Sequence, residues 1–216
     1  MARFPLQLVG FDLDGTLVDT AGDIAAAVDH ALALADRPPL GVERVRPLIG
    51  GGTAHLLDQA LAITGGSDAV LLDRLLPALF EYYSANIAQT SVVYSGVAEA
   101  LRQLRERGVT LAVVTNKRAD LADLLLEKLG LRGNFANIVG GDTVGIGKPD
   151  PAPVRAMLTV PGRAAYIGDS RYDVAAAHAA GLPVALFTAG TDDLGADATF
   201  AHYVDLIPTL ERLAAT

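Results

Sequence analysis

The chain has 216 residues, 51% hydrophobic and 19% charged, which excludes a disordered protein and allows one well-buried core or a core with a smaller insert. Its formal net charge of −8 excludes a general binder of nucleic acid or anionic membranes, which needs a basic field. It contains no cysteine, which removes a disulfide frame, a thiolate metal site and a cysteine nucleophile.

The first residues, Met1 to Pro5, lead straight into a strand without the charged-then-apolar stretch of a secretion signal. The most apolar helical stretch, Ile24 to Ala35, is interrupted by Asp29 and His30 and is too short to cross a bilayer. A cytoplasmic protein is therefore expected, with no membrane or nucleic-acid partner. Leu6 to Phe11 reads as a short buried strand, and it runs into Asp12-Leu13-Asp14-Gly15-Thr16. Two carboxylates two residues apart at the carboxyl end of a strand sit where open α/β sheets place their ligands. They repel each other, so both stay ionised only beside a cation or strong donors. A hard divalent metal with oxygen ligands, Mg²⁺, meets that demand.

Residues 22 to 89 carry apolar stripes at helical spacing: Ile24, Val28, Ala31 and Leu32, then Leu56, Leu57, Ala60 and Leu61, then Leu72, Leu75, Leu76 and Leu79. Pro38-Pro39 and Gly65-Gly66-Ser67 separate them as loops. From Tyr94 strands and helices alternate. Helices are predicted over Val97 to Arg107, Ala119 to Leu129 and Arg171 to Ala180, with a short one after Pro151. Strands are predicted over Val109 to Val114, Phe135 to Val139, Ala164 to Ile167 and Val184 to Phe187. Runs apolar on both faces and separated by helices imply a parallel sheet covered on both sides. The expected fold is thus α/β, with a parallel-sheet core over residues 1–18 and 91–216 and a helical domain over 19–90.

The strand ends of the second half are polar. Val114 runs into Thr115-Asn116-Lys117, Lys148-Pro149 stands before a helix, and Ile167 runs into Gly168-Asp169-Ser170-Arg171-Tyr172-Asp173. In a parallel sheet these ends share one edge with Asp12 and Asp14.

The run FDLDGTLVDT, Phe11 to Thr20, resembles the first motif of the haloacid dehalogenase (HAD) superfamily of phosphotransferases. Thr115-Asn116 resembles its second motif, Gly147-Lys148-Pro149 the third and GDSRYD the fourth, in order and across nearly the whole core. The resemblance implies a Rossmann-like core with a helical cap of the C1 type and a Mg²⁺-dependent phosphatase working through a phospho-aspartate. It implies Asp12 as nucleophile and Asp14 as acid/base. Thr115, Asn116 and Lys148 would bind phosphate, with Lys148 also paired to Asp12. Mg²⁺ would be held by Asp12, Asp169 and the backbone carbonyl of Asp14, with Asp173 supporting the metal shell through water or hydrogen bonds. Each part answers a need of phosphoryl transfer through a carboxylate: a nucleophile, donors for the phosphoryl oxygens, balancing cations and a proton donor for the leaving oxygen. Thr115 and Asp169 are also residue types that cap helices, and the two roles can coincide.

LVDTAGDI, the segment Arg46 to Gly52, the Thr-Asn-Lys cluster and GDSRYD resemble the phosphoglycolate phosphatase-like subgroup. That implies a small phosphorylated metabolite as partner, 2-phosphoglycolate first, with a sugar phosphate or nucleotide as alternatives. Arg46, Gly50 and Gly51 would then meet its carboxylate, although the same glycine run also suits a flexible cap loop. A monomer or homodimer is expected. Departures from the subgroup, Tyr172 for Asn and Ser95 for Pro, fall at the edges of the site and leave the roles of Arg171 and Tyr172 open. A different class, a non-catalytic phosphate- and Mg²⁺-binding module, would normally lack a motif residue, and here all are present. Gly145-Ile146-Gly147-Lys148 has Pro149 where a nucleotide P-loop needs Ser or Thr. The four histidines show no metal-ligand spacing.

Overall fold

In the computed structural model, which describes residues 4–188 and 193–215, the first strand is β1 (Leu8–Phe11), buried along its whole length. Met1 to Arg3, part of the leader reading above, lie outside the described residues. The chain divides into two compact units, residues 19–92 and residues 1–18 with 93–216.

The first crossing between the units is β2 (Val18–Asp19). The helical unit then contains α1 (Ala21–Ala33), α2 (Gly41–Val45), α3 (Thr53–Thr64) and α4 (Ala69–Ala85). The returning strand β3 (Val92–Val93) pairs with β2. The first two apolar stripes are buried as spaced. In the third, Leu75 and Leu79 are buried, while Leu72 and Leu76 are half-buried and Tyr83 extends the buried ridge. The short helix α2 carries no stripe of its own and was not visible in the periodicity. Its start is held from outside, by the Asp29 carboxylate accepting from the Leu40 and Gly41 N–H groups at 2.7 and 3.1 Å. Asp23 is likewise buried, and its two oxygens take the hydroxyls and backbone N–H groups of both Thr90 and Ser91 at 2.5–3.1 Å. Burial pushes its pKa up, but these hydrogen bonds outweigh burial and leave the carboxyl lowered.

The core unit continues with α5 (Val97–Glu106), β4 (Thr110–Val114), α6 (Ala119–Lys128), β5 (Asn137–Val139) and α7 (Ala152–Ala156). It ends with β6 (Ala164–Gly168), α8 (Arg171–Ala180), β7 (Val184–Phe187), β8 (Ala198–Phe200) and α9 (Leu206–Leu213). The six long-sheet strands lie in the order β5-β4-β1-β6-β7-β8, every neighbouring pair parallel. β8 and α9 were not predicted: β8 is three residues long, below what a two-residue period can reveal.

The strand order places the site. From β1 the chain moves outward to β4 and β5 on one side and to β6, β7 and β8 on the other, so the order reverses at β1. At such a switch point two flanking loops diverge and leave a crevice beyond the carboxyl end of the central strand. Asp12 is the first residue beyond that end, and its N–H still bonds to the Ile167 carbonyl at 2.8 Å.

Candidate active site

Asp12 is held by its Oδ1 alone. That oxygen accepts from the Leu13 N–H at 2.7 Å and lies 2.9 Å from the Lys148 ammonium, with side-chain exposures of 6% and 1%. The second oxygen is thereby left for a ligand or for bond formation. Lys148 Nζ also reaches Asp173 Oδ1 at 2.7 Å, the Val114 carbonyl at 2.9 Å and the Tyr166 hydroxyl at 3.1 Å. An ammonium has three hydrogens, and protein acceptors already surround it on every side. Its contribution in the site is therefore charge and position.

Asp173 ties two features together. Its Oδ1 faces Lys148 and the Tyr166 hydroxyl. Its Oδ2 accepts from the Ser170 hydroxyl at 2.6 Å and the Ser170 N–H at 3.1 Å, closing a capping box at the start of α8. Both oxygens are engaged, so Asp173 orients Lys148 and α8. Asp169, one residue before the cap, projects beside Asp12. Its Oδ1 accepts from the Thr16 hydroxyl at 2.9 Å, and a side chain at Gly15 would lie 2.2 Å from its Oδ2. Gly15, at φ +84°, is therefore needed for both its conformation and this close approach. The Thr16 carbonyl in turn accepts from the Tyr203 hydroxyl at 2.7 Å.

Thr115, buried at the end of β4, accepts the Lys117 N–H on its hydroxyl oxygen at 3.2 Å. It keeps its own proton to donate. The Asn116 amide brackets the Lys148 backbone, donating to its carbonyl at 2.9 Å and accepting its N–H at 2.7 Å. These contacts fix the lysine loop. Asp14 meets Lys117, whose Nζ lies 2.9 and 2.8 Å from its two oxygens.

The charges at this edge do not balance. Four carboxylates (Asp12, Asp14, Asp169 and Asp173) face two ammonium groups (Lys117 and Lys148), which leaves two negative charges when all are ionised. Oxygens of Asp12, Asp169 and Asp173 lie within 4.8 Å of one another. Burial pushes the Asp12 carboxyl up, Lys148 pulls it down, and Asp173 and Asp14 push it up again, leaving it at about 7. Burial, then Asp173 and Asp12, push Asp169 well up too. Burial works against the Lys148 charge, but Asp12 and Asp173 outweigh it and keep the ammonium charged. One lysine shared by two carboxylates cannot neutralise both, so the site lacks positive charge. All-oxygen donors with a deficit of two charges fit Mg²⁺. Asp12 Oδ2 and Asp169 would hold it, while Asp173 beside them orients Lys148 and the start of α8.

The model of haloacid dehalogenase-like hydrolases matches residues 9–187. The chain belongs to this family. A phosphoglycolate phosphatase of Cereibacter sphaeroides is 39% identical over 215 residues, covering 96% of this chain and 99% of that one. One from Pseudomonas putida is 42% identical over 192 residues, covering 85% and 70%. The crystal structure of a "predicted phosphoglycolate phosphatase" from Haemophilus somnus 129PT superposes with a TM-score of 0.88 at 29% identity, over 96% of this chain and 99% of that one. This hydrolase is a phosphatase, acting on phosphoric monoesters.

The sequence motifs of the hydrolase thus place Asp12, Asp14, Thr115, Asn116, Lys148, Asp169 and Asp173 on one edge of the core sheet. Arg46, Gly50 and Gly51 belong to the helical unit, where Arg46 pairs with Asp19 at 2.9 Å and Gly50 takes φ +120°. Three contributors escaped the sequence reading. Tyr166 reads as a core aromatic inside a strand, and Thr16 as part of a turn. Lys117 stands in the Thr-Asn-Lys cluster, but nothing in the sequence says it reaches Asp14.

Proposed function

We propose that the enzyme hydrolyses a small phosphomonoester, 2-phosphoglycolate foremost, through a phospho-aspartate on Asp12, with Mg²⁺ as cofactor. The observation that carries this reading is Asp12 itself: one oxygen pinned by Lys148 and the Leu13 N–H, the other uncommitted, with a second carboxylate two residues on. The uncommitted geometry favours attack on phosphorus as the bond to the ester oxygen breaks. Asp14 gives its proton to that departing oxygen. It then takes a proton from the water that attacks the phospho-aspartate, releasing inorganic phosphate and restoring Asp12. The Thr115 hydroxyl donates to a phosphoryl oxygen, and Lys148 balances the charge that builds up there. A bound Mg²⁺ supplies positive charge that lets two anions meet.

The substrate assignment draws on what the relatives are called. Arg46, with Gly50 and Gly51, is the group suited to a substrate carboxylate, by charge and by backbone N–H donors. The test is phosphate release from 2-phosphoglycolate, sugar phosphates and nucleotides, with Mg²⁺ and with a chelator. Metal-dependent release with a clear preference for 2-phosphoglycolate is expected. Equal release from all esters would remove the substrate assignment, and release undiminished by the chelator would remove the cofactor. A folded protein that releases phosphate from no ester would leave only a phosphate-binding module.

A further inference from the structure

Lys117 has no task in the mechanism above, yet it is buried as deeply as the groups that do. Its side chain is 6% exposed, and that of its partner Asp14 is 12% exposed. A buried lysine loses its hydration shell, so a position at the tip of a loop would ordinarily favour a neutral residue. Here the Nζ spans both oxygens of Asp14, at 2.9 and 2.8 Å. A single contact would hold the carboxylate by one corner, whereas contact with both oxygens centres the group on the ammonium and fixes its place.

The lysine is itself held by its backbone. Its N–H donates to the Thr115 hydroxyl at 3.2 Å, and its carbonyl accepts from the Gly141 N–H at 2.8 Å. A side chain at Gly141 would meet the Asn116 carbonyl at 2.6 Å, so the supporting loop packs against the Lys117 turn at backbone distance. The anchor runs from that loop through Lys117 to Asp14.

We infer that Lys117 is a positioning residue for Asp14, holding its carboxylate by both oxygens in the orientation from which it gives and takes the proton. The inference rests on the acid/base role of Asp14 proposed above. Each carboxylate oxygen has a second lone pair, so a proton can travel on and off Asp14 while the lysine contacts persist. Lys117 keeps its own protons throughout. Its loss is therefore read through what Asp14 does.

The experiment is a double-mutant cycle of Lys117→Met with Asp14→Asn, with turnover read on an alkyl ester, 2-phosphoglycolate, and an aryl ester, p-nitrophenyl phosphate, in the presence of Mg²⁺. A carboxylate displaced by about an ångström costs on the order of tenfold to a hundredfold. Lys117→Met is expected to lower kcat/KM, which reports the phosphoryl transfer to Asp12, by about that factor on the alkyl ester and much less on the aryl ester, whose leaving group needs less protonation; kcat, which includes the water step common to both esters, should fall on both. Lys117→Arg should restore most of the loss. In the Asp14→Asn background Lys117→Met should change kcat by less than about twofold, the size of ordinary non-additivity between independent sites. Equal losses of kcat/KM on both esters, or a loss that persists in the Asp14→Asn background, overturns the inference while leaving the phosphatase reading in place. An inactive wild-type protein, or an Asp14→Asn variant as active as wild type, overturns the acid/base reading and the inference with it. Lys117→Gln, which keeps a polar end, replaces the Met variant where thermal unfolding shows that the latter is misfolded.

Discussion

Asp12, the proposed nucleophile, stands at a cost to the fold, and replacing it by Asn measures that cost. Asp12 is buried beside one shared ammonium and two further carboxylates, which lifts its pKa from 3.8 to about 7. A group raised in the folded state contributes stability that is complete below its unfolded value and lost as pH rises through its folded value. At about pH 8 the ionised carboxylate therefore opposes folding by on the order of 4 kcal/mol in metal-free protein. Asn keeps the shape and an oxygen that accepts from the Leu13 N–H and Lys148, but cannot ionise. At roughly 2–4 °C per kcal/mol for a chain of this size, Asp12→Asn should raise Tm by up to about 8–16 °C at that pH. Near pH 4 it should change Tm little, and it should abolish phosphate release at every pH. The assay is thermal unfolding with a chelator across this range, beside a phosphate-release assay. An unchanged or lowered Tm at alkaline pH would refute the charge argument, and residual turnover would refute the nucleophile.

Adding Mg²⁺ should raise Tm more at about pH 8 than at about pH 5.5, because a metal must displace the protons that Asp12 and Asp169 hold at the lower pH; a pH-independent shift in Tm would place the ion elsewhere. Lys148→Met removes the shared cation from two buried carboxylates and should cost about 3–5 kcal/mol. Because Lys148 pulls the Asp12 pKa down, its loss should hurt more as pH rises, and denaturant titrations at two pH values would expose a deficit that fails to grow. In the helical unit, Asp23→Ala leaves the Thr90 and Ser91 donors without their acceptor and should cost about 2–3 kcal/mol. Since the Asp23 pKa is lowered, its stabilisation is present above the ordinary value and lost as pH falls through the folded one. The gap between wild type and variant should accordingly close in acid, and a gap that widens there would contradict the assignment.

What the sequence disclosed follows the range of the interactions involved. Strands buried on both faces and helices with clean stripes, such as Ile24 to Leu32, are encoded by local spacing and were legible. Helix α2 was not, because the contact that fixes its start, Asp29 with Leu40 and Gly41, is made by a side chain of another helix. β8 is too short to show a period. In the site, the motif carboxylates, Thr115 and Lys148 were legible because strand ends of a parallel sheet share an edge. Which acceptor each cation takes depends on side-chain paths through the core. Asn116 could be placed at the edge from sequence, but its amide could be assigned to Lys148 only once both loops were seen together. Lys117 and Tyr166 were hidden for the same reason.

The wiring of that edge explains why the carboxylates need not be equivalent. Asp173 has both oxygens engaged, one by the lysine and one by the cap of α8, which suits it to orienting those two groups. Asp14 has both oxygens on Lys117, which offsets its charge locally although it still helps to raise Asp12. The unneutralised charge is therefore confined to Asp12 and Asp169, whose pKa values are the ones raised by burial and by their neighbours. A cation drawn to this edge meets those two groups first, beside the oxygen of Asp12 that no protein donor holds. Identical side chains two residues apart thus take different roles because each lysine is fixed by a different loop, Lys148 by Asn116 and Lys117 by Gly141.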